Sequence, residues 1–519
     1  MTQHDERGRW RPGRDRMAVW HPAGGGSARV AAPAPRVLVV GGGIAGLAAA
    51  TGLAERGVRV VLAEQQDQLG GRVRSWPVTH GQDRVTMSRG FHAFFRQYYN
   101  LRALLRRVDP TLAGLTAVSD YPVVMADGAA DSFARVPRTP PVNLFWYALR
   151  SPNFGPRALL KADIAASSRM LDLDFPQAFD DFDRMSAATF LDELNFPPAV
   201  RHLALEVFTR SFFADPTEYA AGELLAMFHL YFVGSSEGLL FDVATDDFGT
   251  VFWDPLQRHL VGRGVDVRTG VRVEDLRFRA EGGVRAAFDD ANGRDLDVDA
   301  VVLAADPRST RRLVGQAAGL ADDQWRASLA RTGNAPRFVV WRLWLDRPVR
   351  ADRPAFLGTG GFELLDNVSV LERYEAGARR WSAEHGGSVV EVHAYAIDEA
   401  RSEQSLRAAL RDELAAVFPE TRAATVRADE WLISDDCPSF RPGERQHRPG
   451  VGTPDHRLVL AGDGVRCDLP VALMERAATT GWQAANALLA GWGVRGHDLW
   501  SVPLSSRVPA LRTLRRLVG

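Results

Sequence analysis

The chain has 519 residues, too many for one hydrophobic core, so two or three domains are expected. Apolar residues make up 46% and charged residues 24%, as in ordinary globular proteins, and a formal net charge of -1 supplies no basic field for nucleic acid. Two cysteines, Cys437 and Cys467, exclude a disulfide framework and a cysteine-based zinc site and suit a reducing cytoplasm; no metal site is expected.

Residues 1–35 have no apolar stretch of the secretory kind, and their glycine, proline and alanine content predicts a disordered leader. Arg36 then opens a strand, VLVV from Val37, followed by a glycine turn, a helix and a second strand ending at Glu64. The turn reads Gly41-Gly42-Gly43-Ile44-Ala45-Gly46. Gly41 makes the tight bend, Gly43 lets backbone approach a pyrophosphate, and Gly46 lets helix and strand pack closely. The helix N-terminus offers free N–H groups and a positive dipole end to the phosphates. The pattern carries weight because a strand precedes it and a helix follows. Glu64, about twenty residues past the turn, is placed to accept ribose hydroxyls and to repel a 2′-phosphate, which leaves FAD or NAD.

LGGRVRSW from Leu69 adds Gly70, Gly71 and Arg72, whose guanidinium can fork onto phosphate. Further on, GVDVRTGVRVEDLRF from Gly264 and VDAVVLAAD ending at Asp306 read as strands bounded by turn residues. HRLVLAGD ending at Asp463 repeats that character before a long apolar helix ending near Leu489. The economical division is a disordered leader at 1–35 and a cofactor domain from 36–110, 246–310 and 451–495. A substrate domain takes 111–245 and 311–450, and the tail is 496–519. The longest apolar runs, such as LLAMFHLYFV from Leu224, are about half a membrane span.

GxGxxG, then Glu64, then Gly-Gly-Arg resembles the FAD-binding start of the amine oxidase and carotene desaturase flavoprotein superfamily. LAGDGVRCDLPVALMERAATTGWQAAN from Leu460 resembles its closing flavin segment. The resemblance implies an α/β fold: a Rossmann-like FAD-binding domain with an interleaved α+β substrate domain. It assigns Gly41, Gly43, Ala45, Gly46, Glu64, Gly71, Arg72, Gly90, Phe91, Val273, Gly462, Asp463 and Met474 to FAD. Asp463 would bond the ribityl chain, and the backbone of Val273 would meet the adenine.

MSRGFHAFFRQYYNLRALLRRVDP from Met87, FTRSFFADP from Phe208 and FHLYFVGSSEGLLFDV from Phe228 narrow the likeness. They resemble actinobacterial carotene desaturase/methyltransferases, the isorenieratene synthase or carotenoid φ-ring synthase type. Ser88-Arg89-Gly90 departs from amine oxidases, which usually carry an acid before that glycine. Those enzymes also tend to hold a water with lysine, and the one lysine here, Lys161, lies outside any flavin motif.

The aromatic groups Phe91, Phe94, Phe95, Tyr98, Tyr99 and Phe212, Phe213, Phe228, Tyr231, Phe232 suit an apolar polyene, though each singly is as well explained as core. The family likeness implies a β-ring carotenoid made aromatic by desaturation with a methyl shift. His92 is the candidate acid or base, with a hydrogen-bonded core histidine as the equal alternative. Arg89 faces the flavin or forms a structural ion pair; Glu237 and Asp242 are weaker candidates. Leu511, Leu514, Leu517 and Val518 against Arg512, Arg515 and Arg516 describe a short basic amphipathic helix, which reads as a surface anchor or, more commonly, as a packed terminal helix with a solvated face. Because carotenes live in bilayers, a cytoplasmic protein peripheral at the membrane surface is expected, the electron acceptor being unknown. The rival readings are a linear carotene desaturase or isomerase, an amine oxidase, and a non-enzymatic prenyl-lipid escort.

Overall fold

A strand without a polar side chain, such as Val37-Leu38-Val39-Val40, is stable only when covered on both faces. The computed structural model, which describes residues 11–150, 169–170, 172–195, 213–289, 295–320, 322–505 and 507, covers it in this way. Strand Arg36–Val40 is central in a five-stranded sheet in the order Asp266–Arg268, Arg59–Ala63, Arg36–Val40, Ala300–Leu303, Leu458–Leu460. Every neighbouring pair in it is parallel. Three stretches far apart in sequence thus supply one sheet.

Helix Ile44–Glu55 covers one face and packs on the long helix Leu473–Gly491. Their close approach depends on glycine: a Cβ on Gly481 would stand 2.3 Å from the Ala45 carbonyl, and one on Gly52 2.9 Å from Ala485. The other face is covered by a three-stranded antiparallel sheet, Arg272–Phe278, Val284–Asp289 and Leu296–Val298, whose apolar side chains share a core with Leu38, Val61 and Val301.

The second large unit is a seven-stranded, mostly antiparallel sheet. Its order is Val426–Ser434, Arg337–Leu345, Ser388–Ile397, Asn367–Val370, Phe356–Gly360, Pro122–Met125, Ala130–Ser132. Its outer face carries Val339, Trp341, Leu343, Val390, Val392 and Ala394 against Leu406, Leu410 and Leu414 of helix Glu403–Val417. Its inner face turns toward the nucleotide sheet. The hairpin Ser75–His80 and Asp83–Ser88 leads the chain across that seam, and Phe94–Phe95 pairs with Phe241–Ala244.

The leader departs from expectation. From Arg11 onward it is placed against the body: Val19–His21 pairs antiparallel with Leu499–Ser501. Asp15 is fully buried, its N–H donating to Glu237 (2.9 Å) and its carboxylate ion-paired with Arg507 (2.7 Å). Composition reads the glycine and proline as disorder, but one buried ion pair and one strand pairing are enough to order them. Residues 1–10, Lys161, the stretch from Phe208 through Phe212, and Leu511, Arg512, Leu514, Arg515, Arg516, Leu517 and Val518 lie outside the described residues. Among the described residues, no helix is long and apolar enough to cross a membrane.

Candidate active site

The turn after Val40 is built as its glycines require. Gly41 has φ +103°, a left-handed conformation, and a Cβ there would lie 2.6 Å from the Ala304 carbonyl. A Cβ on Gly46 would lie 1.9 Å from the Gly41 carbonyl, so only glycine lets the helix start this close to the strand. Gly43 differs: a Cβ there would find nothing nearer than Gly71 Cα at 3.7 Å, because this face opens into a cavity.

That cavity joins the two sheets. Gly41, Gly43, Ala45, Glu64, Gly71 and Arg72 line its nucleotide-sheet side, together with Val273, Gly462, Asp463 and Met474. Arg89, Phe91 and His92 line it at the seam. Gly46 and Gly90 stand behind the wall and shape it.

Glu64 is buried and accepts from Gly42 N–H (2.7 Å) and Gln66 N–H (2.9 Å), one on each oxygen. Burial pushes its carboxyl upward, and those two N–H groups pull it back. Each oxygen keeps a second lone pair for a hydroxyl. Arg72 and Asp463 form an ion pair across the cavity wall, joining the first and last segments of the chain. The Gly462 N–H donates to Thr480 Oγ1 (2.9 Å), which ties the turn to the long helix. The Val273 carbonyl accepts from Arg312 (3.2 Å). Cys437 stands beside Arg72, but burial pushes its thiol up to about 11, so it stays protonated and unreactive.

Arg89 donates to Asp436 Oδ1 (2.6 Å) and Ser434 Oγ (3.2 Å), the ion-pair arrangement, while also lining the cavity. His92 Nδ1 lies 2.8 Å from the Gly90 carbonyl, which can only accept, so Nδ1 carries the proton and Nε2 is the basic nitrogen. Burial lowers its pKa to about 4, against the help of that hydrogen bond, so the ring is neutral near pH 7.

The aromatic groups divide. Phe91, Phe95, Tyr98, Phe213 and Tyr231 line the cavity. Phe94, Tyr99, Phe228 and Phe232 are buried in the surrounding core instead. Glu237 serves the Asp15 contact and accepts from Tyr99 (3.4 Å), and Asp242 pairs with Arg102 and with Arg96 (3.2 Å). Neither carboxylate reaches the cavity, so both weaker candidates are structural.

Sequence reasoning missed the inner face of the seven-stranded sheet. Phe356 of that sheet, Tyr121 just before its strand Pro122–Met125, and Phe241 of the separate strand Phe241–Ala244 wall the cavity with Phe91, whose ring stacks on Phe356 at 4.1 Å. Glu391, His393 and Tyr395 alternate along strand Ser388–Ile397, so all three point inward while Val390, Val392 and Ala394 point out. Arg342 is directly opposite Glu391 on the neighbouring strand and donates to Oε2 from Nε (2.9 Å) and Nη2 (2.7 Å). Glu391 is wholly buried; burial would raise its pKa, but Arg342 and His393 outweigh that and hold it at about 2. The alternation E-V-H-A-Y was the available signal. The end of this strand bulges just past Ala394, with a register shift opposite Arg337–Val339 and Ala396 at φ +51°. Gly90 meets this group: at φ +101°, a Cβ there would stand 2.5 Å from His393 Cε1.

The model of the flavin containing amine oxidoreductase family matches residues 44–489. The carotenoid phi-ring synthase of Streptomyces griseus is 53% identical over 515 residues, covering 98% of each chain. The carotenoid phi-ring synthase of Chlorobaculum tepidum is 27% identical over 91% of each. Among solved structures, a putrescine oxidase variant superposes with a TM-score of 0.63 at 18% identity, covering 88% of this chain and 99% of that one. Cyclohexylamine oxidase from Brevibacterium oxydans gives a TM-score of 0.63 at 17% identity over 88% and 99%. These two likenesses speak for the fold alone.

Proposed function

The chain belongs to the flavin containing amine oxidoreductase family as an FAD-dependent carotenoid oxidoreductase, and we propose that it converts the β-rings of a carotenoid to aromatic φ-rings. The observation that carries this reading is one cavity bordered by both a dinucleotide-type turn and an aromatic wall, in a chain 53% identical over 98% of its length to a carotenoid phi-ring synthase.

FAD fits the residues present. The open face of Gly43 and the helix N-terminus behind it would hold a pyrophosphate, Glu64 would accept ribose hydroxyls, and Arg72 with Asp463 would hold the flavin half. When bound, FAD supplies the two-electron oxidations by taking hydride.

The protein's own residues supply the rest. A β-ring carries two methyl groups on one carbon, which blocks aromatisation. Each ring must lose two hydrides and two protons, with one methyl moving to the neighbouring carbon. Phe91, Tyr121, Phe241 and Phe356 exclude water from the ring cation that precedes the methyl shift, and their faces attract positive charge. His92, neutral and with Nε2 free to accept, takes one proton; a base held near 4 suffices, because a ring cation about to become aromatic is a strong acid. The methyl is already on the substrate, so no external methyl donor is required.

A carotenoid must be drawn from a bilayer, and we place the protein at a membrane surface in the cytoplasm. Vesicle flotation of the purified protein checks this, and full recovery in the soluble fraction refutes it. Expression in a host that accumulates β-carotene tests the activity itself. An aromatic-ring carotenoid is expected; unchanged β-carotene, or desaturated products with intact geminal methyls, would refute aromatisation. A protein isolated without flavin absorbance, and unable to take FAD up, would favour an escort role.

A further inference from the structure

We propose that Tyr395, His393 and Glu391 form a proton relay that removes the second of the two ring protons, with Tyr395 touching the substrate. This rests on the aromatisation reading, which demands two proton losses per ring where His92 serves one.

The geometry is continuous from cavity to buried charge. Tyr395, His393 and Asn367 border the cavity. The Tyr395 hydroxyl is 2.7 Å from His393 Nδ1, His393 Nε2 is 2.9 Å from Glu391 Oε1, and Glu391 Oε2 is held by Arg342. The partners fix the proton positions. A carboxylate is the strongest acceptor in reach, so Nε2 carries the ring proton and donates to Glu391. The Phe91 N–H also points at this nitrogen, from 3.2 Å, and competes with Glu391 for it; the charged carboxylate outweighs a neutral N–H, which goes without an acceptor there. Nδ1 is then unprotonated and accepts the Tyr395 O–H. Asn367 Nδ2 donates to the tyrosine oxygen (3.1 Å) and holds the phenol in place. Nothing in an apolar polyene calls for such a chain of polar groups on the wall of its pocket. Burying one unused would cost free energy that an apolar wall would not.

The step balances within the relay. The substrate C–H bond breaks and its electron pair remains in the ring. The proton goes to the Tyr395 oxygen as the tyrosine's own proton passes to His393 Nδ1. Tyrosine ends neutral, and the imidazolium is held by the Glu391 carboxylate. Tyr395 is the catalytic residue; His393 and Glu391 act through it. The arrangement follows the same logic as an acid–histidine pair activating a hydroxyl nucleophile, here directed at a proton.

The test uses holoenzyme in liposomes loaded with β-carotene. The wild type must first make the aromatic product, and if it makes none, the aromatisation reading and the relay fall together. Tyr395→Phe keeps the ring and removes the hydroxyl. It is expected to retain its flavin and to lose about a hundredfold or more in rate. His393→Ala is expected to be similarly slow and to regain activity with added imidazole, which a purely structural histidine would not show. A flavin-loaded Tyr395→Phe protein working at the wild-type rate overturns the relay. So does a flavin-loaded His393→Ala protein that imidazole does not restore. Should His393→Ala lose its flavin, Tyr395→Phe alone decides.

Discussion

The two sheets that face the cavity deliver chemistry in opposite ways. In the five-stranded parallel sheet, Val37–Val40 and Val301–Leu303 are buried on both sides, so no functional group can stand mid-strand. Its chemistry sits at and beyond the strand ends, in backbone N–H groups and in acids such as Glu64 and Asp463. In the seven-stranded sheet only one face meets the outer core. The other is free to carry side chains, and Arg342, Glu391, His393 and Tyr395 stand within the strands themselves. The parallel sheet therefore binds through geometry that only glycine permits, and the antiparallel sheet acts through charge that only pairing permits. Damage to each should show a different signature.

The largest effect is expected at Gly46. A methyl group would stand 1.9 Å from backbone that cannot move without breaking the turn. Gly46→Ala should yield protein without flavin, read from visible absorbance. Retention of stoichiometric flavin would show that the turn can relax.

The matching lesion in the other sheet is Arg342→Leu. Glu391 is completely buried, and losing its partner leaves an uncompensated charge, at a cost of about 3–5 kcal/mol in denaturant unfolding near pH 7. The pH dependence adds a sharper reading. Glu391 titrates near 4.5 when unfolded and near 2 when folded. Its contribution is present above 4.5 and is lost as pH falls toward 2, so the gap between wild type and variant should narrow on acidification.

Glu375 runs the other way. It borders a small second cavity behind Phe91 and His92, with Arg342 Nη1 at 3.9 Å. Burial pushes its carboxyl up from 4.5 to about 7, even against that guanidinium. Its folded form therefore favours the proton: stability is full below 4.5 and declines as pH rises through 7. Glu375→Gln should abolish the decline, leaving the variant more stable than wild type by about 3 kcal/mol at about pH 8 and equal in acid. Parallel stability curves would place the carboxyl in water.

The contrast also explains what could be read in advance. Gly41, Gly43, Gly46 and Glu64 announce themselves because they stand at fixed spacings in one strand, turn, helix and strand within a few dozen residues. Asp463, between strand Leu458–Leu460 and the helix from Leu473, was reached through the family likeness of its segment instead. Arg342 and Glu391 are 49 residues apart, and only the register between two strands makes them partners. His393 is brought to Phe91, next to Gly90, across 302 residues, as its contact with the Phe91 N–H shows. The aromatics were sorted no better, since Phe94 and Phe95 look alike in sequence and only one reaches the cavity. The leader was misread because a single buried Asp15 outweighs a loop-like composition.

Glu64 gives the smallest of these effects and tests the strand-end side most finely. Its two oxygens each accept one backbone N–H, from Gly42 and Gln66. Glutamine is nearly the same shape but has one accepting oxygen, so Glu64→Gln must turn an amide N–H toward one of those donors. The turn would keep its fold, because its glycines and not this side chain set its backbone. Affinity for FAD should nevertheless fall by about tenfold, since one charge-assisted hydrogen bond is worth about 1.5 kcal/mol. Titration of the apoprotein with FAD measures it. An unchanged affinity would mean that the carboxylate only braces the loop, and the strand-end acid would then be structural.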